Sequence, residues 1–308
     1  MIFPIGAKAM AAGSSRRTFL KALGGMSVAA AQDAASASPG GENFRQLKKA
    51  MWVWKTAPDH LDALKAFAGE VGVDTLLWSM PPEVRAGIAA GDVQVISSVR
   101  ALREGVRSLF ALTGDPSWVQ SPQRMPRSLA QIIEAAAGGG AMLDGVSLDI
   151  EPNALPAWHD PERRQGLLKD TVAFYEMVRS RARHVRLDAA LNPAFAETRL
   201  QDNQTFLGAL IQRLDSVSLM AYRDNPERTI KWAAPAIEVI ENMDVPWRLG
   251  VLVHASSEAG TSFAGRDRAA FETDMVALDG MVRRQGPSAY YRGLIFEDYG
   301  GLTRILRA

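Results

Sequence analysis

The sequence predicts an α/β protein made of a single (β/α)8 TIM barrel. Apolar runs of strand length alternate with amphipathic segments of helix length, and we count eight such runs. Strands of a parallel sheet are covered on both faces, so they read as nearly continuous apolar runs joined by crossover helices. The roughly 270 residues that follow a predicted leader also match the usual size of this fold.

The predicted strands are short apolar runs bounded by turn residues. They cover residues 50–54, 75–80, 108–112, 146–151, 186–191, 216–222, 248–254 and 293–297. The predicted helices have apolar residues at helical spacing. They cover residues 60–70, 94–104, 128–137, 165–182, 204–213, 229–243, 266–284 and a short 302–307.

Residues 1–37 are predicted to be a twin-arginine signal peptide, which leaves 38–308 as the barrel. Arg16 and Arg17 precede Thr-Phe-Leu-Lys and then a Gly- and Ala-rich run that is too short to span a bilayer. An Ala-Ser-Ala site at 35–37 favours cleavage there, with 29–31 as a second candidate. We therefore expect export by the twin-arginine machinery to the periplasm or outside, with no membrane anchor after cleavage.

The composition argues against several classes of partner and site. The formal net charge of +1 argues against a nucleic-acid partner, which needs a basic face. There is no cysteine, so no disulfide framework is predicted. The four histidines, at positions 60, 159, 184 and 254, show no ligand-like spacing, so neither a metal site nor a cofactor is expected.

The most informative stretch is 144–152, which reads D-G-V-S-L-D-I-E-P. In a strand, Ser147, Asp149 and Glu151 share one face. The backbone positions of the two acids then lie roughly 6.6 Å apart, near enough for the charge of one side chain to raise the pKa of the other. That arrangement suits a general acid, Glu151, beside an orienting carboxylate, Asp149. The alternative is a pair of solvated acids or a salt-bridge site.

This stretch resembles the fourth-strand signature DGxDxDxE of glycoside hydrolase family 18, the chitinase family. Asp144, Gly145, Asp149 and Glu151 match it, whereas Ser147 stands where the family has its middle Asp. The resemblance implies a hydrolase barrel that acts on N-acetylated sugars, with Glu151 as the general acid. The chain is also similar to exported bacterial barrel proteins with an I-E-P strand, for which no substrate is established.

The predicted sixth strand carries a second match to the same family, whose motif here is MxYD. Met220 and Tyr222 match, Arg223 stands where the Asp is expected, and Asp224 follows one position later. The resemblance implies that the Tyr222 hydroxyl helps to hold a substrate acetamido group. The alternative is an ordinary tyrosine of the barrel wall.

The active site of such a barrel lies at the carboxyl ends of its strands. Aromatic, amide and acidic side chains close several predicted strands there, and aromatic faces stack on sugar rings. We predict Glu297 as a fourth catalytic residue beside Glu151, Asp149 and Tyr222. The predicted substrate-binding residues are Trp52, Trp54, Trp78, Asn192, Asp224, His254 and Tyr299.

The sequence thus predicts an exported glycoside hydrolase that acts on an oligo- or polysaccharide. Either the N-acetyl group of the substrate attacks while Glu151 donates the proton, or Glu297 serves as nucleophile or base. A glycan-binding barrel without catalysis is the alternative from another class. A metal-dependent hydrolase or deacetylase lacks its histidine ligands.

Overall fold

The computed structural model of the chain describes residues 43–54, 56–138, 142–284 and 288–308. The predicted signal peptide and its cleavage sites lie outside the described residues. Within the described ranges, no helix combines the length and the apolar character needed to cross a membrane.

Eight parallel strands pair in chain order, and β8 pairs with β1 to close the barrel. The predicted (β/α)8 fold is therefore confirmed. The strands are β1 (Lys49–Val53), β2 (Val73–Trp78), β3 (Ser108–Thr113), β4 (Gly145–Leu148), β5 (Arg186–Leu191), β6 (Ser216–Leu219), β7 (Trp247–Leu252) and β8 (Tyr291–Glu297).

The α-helices of the described residues surround this barrel. They are α1 (Leu61–Val71), α2 (Pro82–Ala90), α3 (Val93–Glu104), α4 (Arg127–Ala137), α5 (Pro161–Arg181), α6 (Phe206–Ile211), α7 (Pro226–Glu241), α8 (Arg268–Arg284) and α9 (Tyr299–Arg307). Helix α2 was not predicted, because it buries only Val84 and so lacks a clear apolar stripe. Helices α5 and α7 begin earlier than predicted, at an Asp-Pro and an Asn-Pro pair that caps each helix.

The barrel wall separates two apolar cores. The smaller one fills the interior with side chains from the strands alone, among them Trp52, Leu77 and Phe110. The larger one packs the outer strand faces, such as Val146 and Leu148, against the helices. Successive residues of one strand therefore lie on opposite sides of the wall.

A buried polar cluster fills another part of the barrel interior. Asp188 on β5 accepts hydrogen bonds of 2.7 Å from Ser147 and from Ser216, and Ser218 donates to it at 3.2 Å. Burial lowers the pKa of the nearby Arg248 guanidinium, and the charge of Asp188 opposes that shift. The interior thus holds an acidic side chain, with hydrogen bonds from three serines, near a buried arginine.

The chain enters the barrel at the end where the strands begin. Lys49 is fully buried there, and its Nζ donates to the carbonyl oxygens of Phe44, Arg45 and Leu47. Burial lowers the pKa of Lys49 to about 8. The three carbonyl contacts fix residues 44–47 against the first strand.

Candidate active site

A pocket of about 240 Å³ lies at the carboxyl ends of the strands. The side chains that line it come from the ends of six strands and the residues just beyond them. They are Trp52, Trp54, Asp149, Glu151, Ala190, Met220, Tyr222, Leu252, His254 and Glu297. This is the end at which barrels of this kind build their active sites.

Strand β4 ends at Leu148, so the prediction that it continues to Glu151 is wrong. Asp149 still donates its backbone N–H to the carbonyl of Thr113 at 3.0 Å. Glu151 then precedes a short 3-10 helix that starts with Pro152, and proline cannot donate to a sheet ladder. Both carboxyl groups nevertheless line the same pocket.

The position of Asp149 depends on a close approach from the neighbouring loop. A Cβ atom at Gly114, directly after β3, would lie 1.7 Å from the backbone oxygen of Asp149. Only glycine leaves room for the two backbones at this distance. The loop after β3 is therefore in close backbone contact with Asp149, whose carboxyl group lines the pocket.

Asp149 is partly buried, and one oxygen of its carboxyl group lacks a hydrogen-bond partner in the described part of the chain. Burial raises its pKa to about 7, and the charge of Glu151 adds to the increase. Its Oδ1 atom has no hydrogen-bond partner among the described residues. A buried acceptor without a donor is costly, and this cost adds to the reasons why the carboxyl group favours its protonated form.

Glu297 closes the opposite side of the pocket. Trp54 donates its indole N–H to Oε1 of Glu297 at 2.7 Å. Burial raises the pKa of Glu297 to about 8, while the Trp54 bond opposes the increase. The charges of Asp298, Asp149 and Glu151 raise that pKa further.

His254 stands at the rim of the pocket, and its side chain is 41% exposed. Its Nδ1 atom lies 2.9 Å from the carbonyl oxygen of Ala255, which indicates an Nδ1–H donor. Its Nε2 atom lies 4.0 Å from Oε1 of Glu297. A protonated His254 would therefore form an ion pair with an ionised Glu297.

Tyr222 contributes a hydroxyl group that stays protonated. Burial is the main cause that raises the pKa of Tyr222 well above its usual value. The charges of Glu297, Asp149 and Glu151 raise that pKa further. A neutral phenol can donate to an oxygen of a ligand. The structure thus brings the four predicted catalytic residues to one pocket, together with Trp52, Trp54 and His254. Their catalytic and binding roles remain predictions.

Two predicted substrate-binding aromatics lie elsewhere. Trp78 is fully buried between the barrel wall and the helices, because it is Leu77 that faces the barrel interior. Tyr299 opens α9 and packs edge-on against Phe67, with ring centroids 5.3 Å apart. Neither side chain lines the pocket.

Two predicted polar residues are also placed outside the pocket lining. The Asn192 side chain caps the next short helix by accepting from the N–H of Ala194. Asp224 accepts from Arg228 at 2.6 Å, a salt bridge on the outer surface. Both side chains serve local structure at the ends of their strands.

Arg223, which stands where the family 18 motif has Asp, turns away from the pocket. Its guanidinium lies 4.3 Å from the ring centroid of Trp232 and donates to the carbonyl of Tyr222. The pocket therefore gains no positive charge from this substitution.

The sequence analysis missed several residues around the pocket. Ala190 and Leu252 form apolar wall, which no chemical signal in the sequence marks. Asp188 had a usable signal, since it is a lone acid inside an apolar strand. Tyr175 on α5 is buried with no partner for its hydroxyl among the described residues, and burial and the charges of Asp149 and Asp188 raise its pKa. In the described part of the chain, no group of three or more His, Asp or Glu side chains is placed to hold a metal ion.

Comparison with known proteins gives structural neighbours only. No protein-family model matches the chain, and no curated protein does. Among solved structures, a family 18 chitinase from Pseudoalteromonas aurantia is similar, with a TM-score of 0.55, 13% identity, and coverage of 82% of this chain and 94% of the chitinase.

Two further solved structures have a similar fold. A proposed α-L-fucosidase from Bacteroides thetaiotaomicron gives a TM-score of 0.53 at 9% identity, covering 87% of this chain and 90% of its own. A proposed deoxyribose-phosphate aldolase from Toxoplasma gondii gives a TM-score of 0.50 at 12% identity, and the match covers 86% of this chain and 93% of the aldolase. At such identities the likeness shows the fold and not the reaction. The comparisons therefore show that the chain has a (β/α)8 barrel fold similar to that of a family 18 chitinase.

Proposed function

We propose that this protein is an exported glycoside hydrolase whose catalytic centre is the pocket of Asp149, Glu151, Tyr222 and Glu297. One observation carries the proposal: three carboxyl groups and a phenol converge at the carboxyl end of a closed barrel. The partly exposed indole ring of Trp54 lines the same pocket and provides an apolar face for a sugar ring, whereas the Trp52 ring is almost fully buried in the barrel interior. The pocket is smaller than the ~300–1,000 Å³ usual for ligand sites, which suits one ring at a time.

Two of the carboxyl groups are partly protonated at neutral pH. The pKa values of Asp149 and Glu297 are about 7 and about 8, and Glu151 contributes to both increases. In the proposed reaction, Glu151 gives its proton to the glycosidic oxygen and the bond from that oxygen to the anomeric carbon breaks. Water then adds its hydroxyl group to that carbon, and its other proton restores Glu151.

Two mechanisms are compatible with the pocket. In the first, the substrate N-acetyl group attacks the anomeric carbon, positioned by Asp149 and the Tyr222 hydroxyl. In the second, Glu297 acts as nucleophile or base, as in two-carboxylate glycosidases. The Glu297→Gln variant separates them, because only the second mechanism needs an ionised group at this position.

The test is hydrolysis of a glycan panel containing N-acetylglucosamine, glucose and galactose oligomers. Glu151→Gln keeps the shape of the side chain and removes its proton, so turnover should fall roughly 10²- to 10⁴-fold with binding nearly unchanged. Glu258→Gln is the matched control, because Glu258 is exposed after β7 and outside the pocket. A Glu151→Gln variant that cuts as fast as the parent would place the acid elsewhere. Binding without any hydrolysis would favour the glycan-binding alternative.

Export through the twin-arginine route is part of the same proposal. It is supported by the arginine pair at 16–17 and the small-residue site at 35–37. Replacing both arginines with lysine should leave the uncleaved precursor inside the cell, as seen by fractionation and immunoblotting. Unchanged export of that variant would contradict this part of the proposal.

A further inference from the structure

A second cavity, of about 330 Å³, lies on the loop that joins β3 to α4. We call it the β3-loop cavity. Its lining includes the side chains of Ser117, Trp118, Ser121, Arg124 and Arg127. None of these residues lines the catalytic pocket, and the proposed reaction gives them no role.

The β3-loop cavity lies on the same face of the barrel as the catalytic pocket. Its loop follows the carboxyl end of β3, and Gly114 at the start of that loop is in close backbone contact with Asp149. Ser117 is three residues after Gly114, so their Cα atoms are at most roughly 11 Å apart. The short helix Pro116–Gln120 also contacts the short helix Pro152–Ala154, which directly follows the carboxyl groups of the pocket. A glycan chain that leaves the pocket across this loop therefore passes the cavity.

The β3-loop cavity has a positive charge, whereas the catalytic pocket is lined by carboxyl groups. The guanidinium groups of Arg124 and Arg127 belong to its lining, and the lining that the structure describes contains no acidic side chain. The acid of this loop, Asp115, lies outside the lining and accepts from the N–H of Ser117 as a helix cap. No side chain caps the first turn of α4, so the helix dipole adds to the positive potential. An anionic group is therefore attracted to this cavity.

The two guanidinium groups of the cavity also have no partner. Within the described ranges, neither of them forms a hydrogen bond, an ion pair or a ring contact. Other arginines near this face are engaged, since Arg164 lies 4.5 Å from the ring centroid of Trp158 and Arg228 forms an ion pair with Asp224. Each guanidinium group of the cavity therefore keeps its five N–H donors for a bound molecule.

Trp118 indicates that this bound molecule has an apolar ring face as well as a charge. Its indole ring is partly exposed in the cavity, and it packs near Phe174 with ring centroids 6.2 Å apart. Aromatic faces stack on sugar rings, as at the pocket. The exposed hydroxyl groups of Ser117 and Ser121 can both donate to and accept from sugar hydroxyl groups.

We propose that the β3-loop cavity binds an acidic sugar unit, whose carboxylate accepts hydrogen bonds from Arg124 and Arg127. A guanidinium group matches a carboxylate with two parallel hydrogen bonds, so a uronic acid fits this lining. The inference rests on the proposed function and names its substrate class, an acidic glycan. The unit cut in the pocket is then neutral, and a neighbouring unit of the same chain carries the carboxylate.

Calorimetric titration of the purified protein at pH 7 tests this inference. The probes are oligomers of galacturonic acid, of mannuronic acid, and of glucuronic acid alternating with N-acetylglucosamine. Each is compared with its carboxyl-reduced form, in which a neutral hydroxymethyl group replaces the carboxylate. We expect at least one acidic oligomer to bind at least about tenfold tighter than its reduced form at low salt, and this advantage should shrink as salt screens the charges. Sodium phosphate and free glucuronic acid should bind at least about tenfold more weakly than that oligomer, because they lack the neighbouring sugar units.

The Arg124→Gln and Arg127→Gln variants, singly and together, remove the positive charges of the cavity. The double variant should lose the preference for the acidic oligomer. Its hydrolysis of neutral glycans should be unchanged, because neither arginine lines the pocket. Arg100→Gln is the matched control and should keep the preference, since Arg100 is exposed on α3 and outside both cavities.

Three results overturn this inference and leave the proposed hydrolase intact. They are an equal affinity for every acidic oligomer and its reduced form, a preference that survives in the double variant, and phosphate binding as tight as that of the oligomer. If the double variant does not fold, the two single variants and the salt dependence of the parent decide the same question. An acidic oligomer that binds through the arginines while no glycan is ever cut overturns the proposed hydrolase and supports the binding site.

Discussion

The indole N–H of Trp54 donates to Oε1 of Glu297 at 2.7 Å. The donor directly follows β1 and the acceptor ends β8, so this bond joins the first and last strands where the barrel closes. It also favours the ionised form of a carboxyl group that burial otherwise keeps protonated. One contact therefore serves both the closure of the barrel and the charge state of the pocket.

Trp54→Phe should raise the pKa of Glu297 above about 8, because the donor that stabilises the carboxylate is removed. The measurement is a carbon-13 NMR titration of the glutamate side chains. Trp118→Phe is a suitable control, since Trp118 lies outside the pocket and packs near Phe174. An unchanged Glu297 titration in Trp54→Phe would show that the indole has no influence on this group.

Asp149→Asn should make stability less dependent on pH. The folded-state pKa of Asp149 is about 7 against 3.8 in the unfolded chain, so its favourable contribution is complete below pH 4 and is lost as pH rises through 7. The asparagine variant avoids that loss, and should be more stable than the parent at pH 8 by roughly 2–4 kcal/mol. Urea unfolding at pH 5 and pH 8 measures the difference. Exposed Asp62→Asn is the control, and an equal pH dependence in parent and variant would contradict the expectation.

Asp188→Asn should destabilise the fold by about 1–3 kcal/mol, because it removes the larger of the two carboxylate influences, those of Asp188 and Asp74, that favour the charged form of the buried Arg248. Urea unfolding measures the loss. The double variant Asp188→Asn with Arg248→Met removes the stranded cation, so it should recover part of the stability. If the free energy of unfolding of the single variant fell by less than about 1 kcal/mol, solvent or the neighbouring serines would be stabilising the charge of Arg248 in place of Asp188.

Gly114→Ala should disturb both folding and the pocket, since the new methyl group would overlap the backbone oxygen of Asp149. We expect destabilisation of about 1–3 kcal/mol and weaker binding of any ligand that uses Asp149. Gly166→Ala is the matched control, because no atom lies within 4 Å of the position that its new methyl group would take and the residue is inside α5. The free energy of unfolding of that control should increase by about 0.5–1 kcal/mol, because alanine is a better helix former than glycine.

The sequence was sufficient for the architecture, because the alternation of apolar strands and amphipathic helices is a property of the whole chain. The sequence was less informative about which residues of a strand face the barrel interior. The second strand is apolar on both faces, so nothing in the sequence distinguished Trp78 from Leu77 as the residue that faces the interior. In the first strand the sequence correctly indicated that Trp52 faces the barrel interior. The alternation of acidic and apolar residues after β4 correctly indicated that Asp149 faces the pocket.

Local capping explains why one predicted substrate-binding residue lies outside the pocket lining. Asn192 precedes proline, and its side chain is used by the helix that begins there. The contacts between strands distant in sequence, such as the bond from Trp54 to Glu297, depend on closure of the barrel. They are set by three-dimensional register and leave no pattern in the chain itself.

The three carbonyl contacts of Lys49 fix the start of the described chain at the end of the barrel opposite the pocket. The strands have four to seven residues, and at ~3.3 Å per residue they put roughly 13–23 Å of packed barrel between the two ends. A solid support or a partner protein attached ahead of Asn43 would therefore leave the pocket facing outward. The barrel is suited to immobilisation by its amino end, with the opening presented to a polymer in solution.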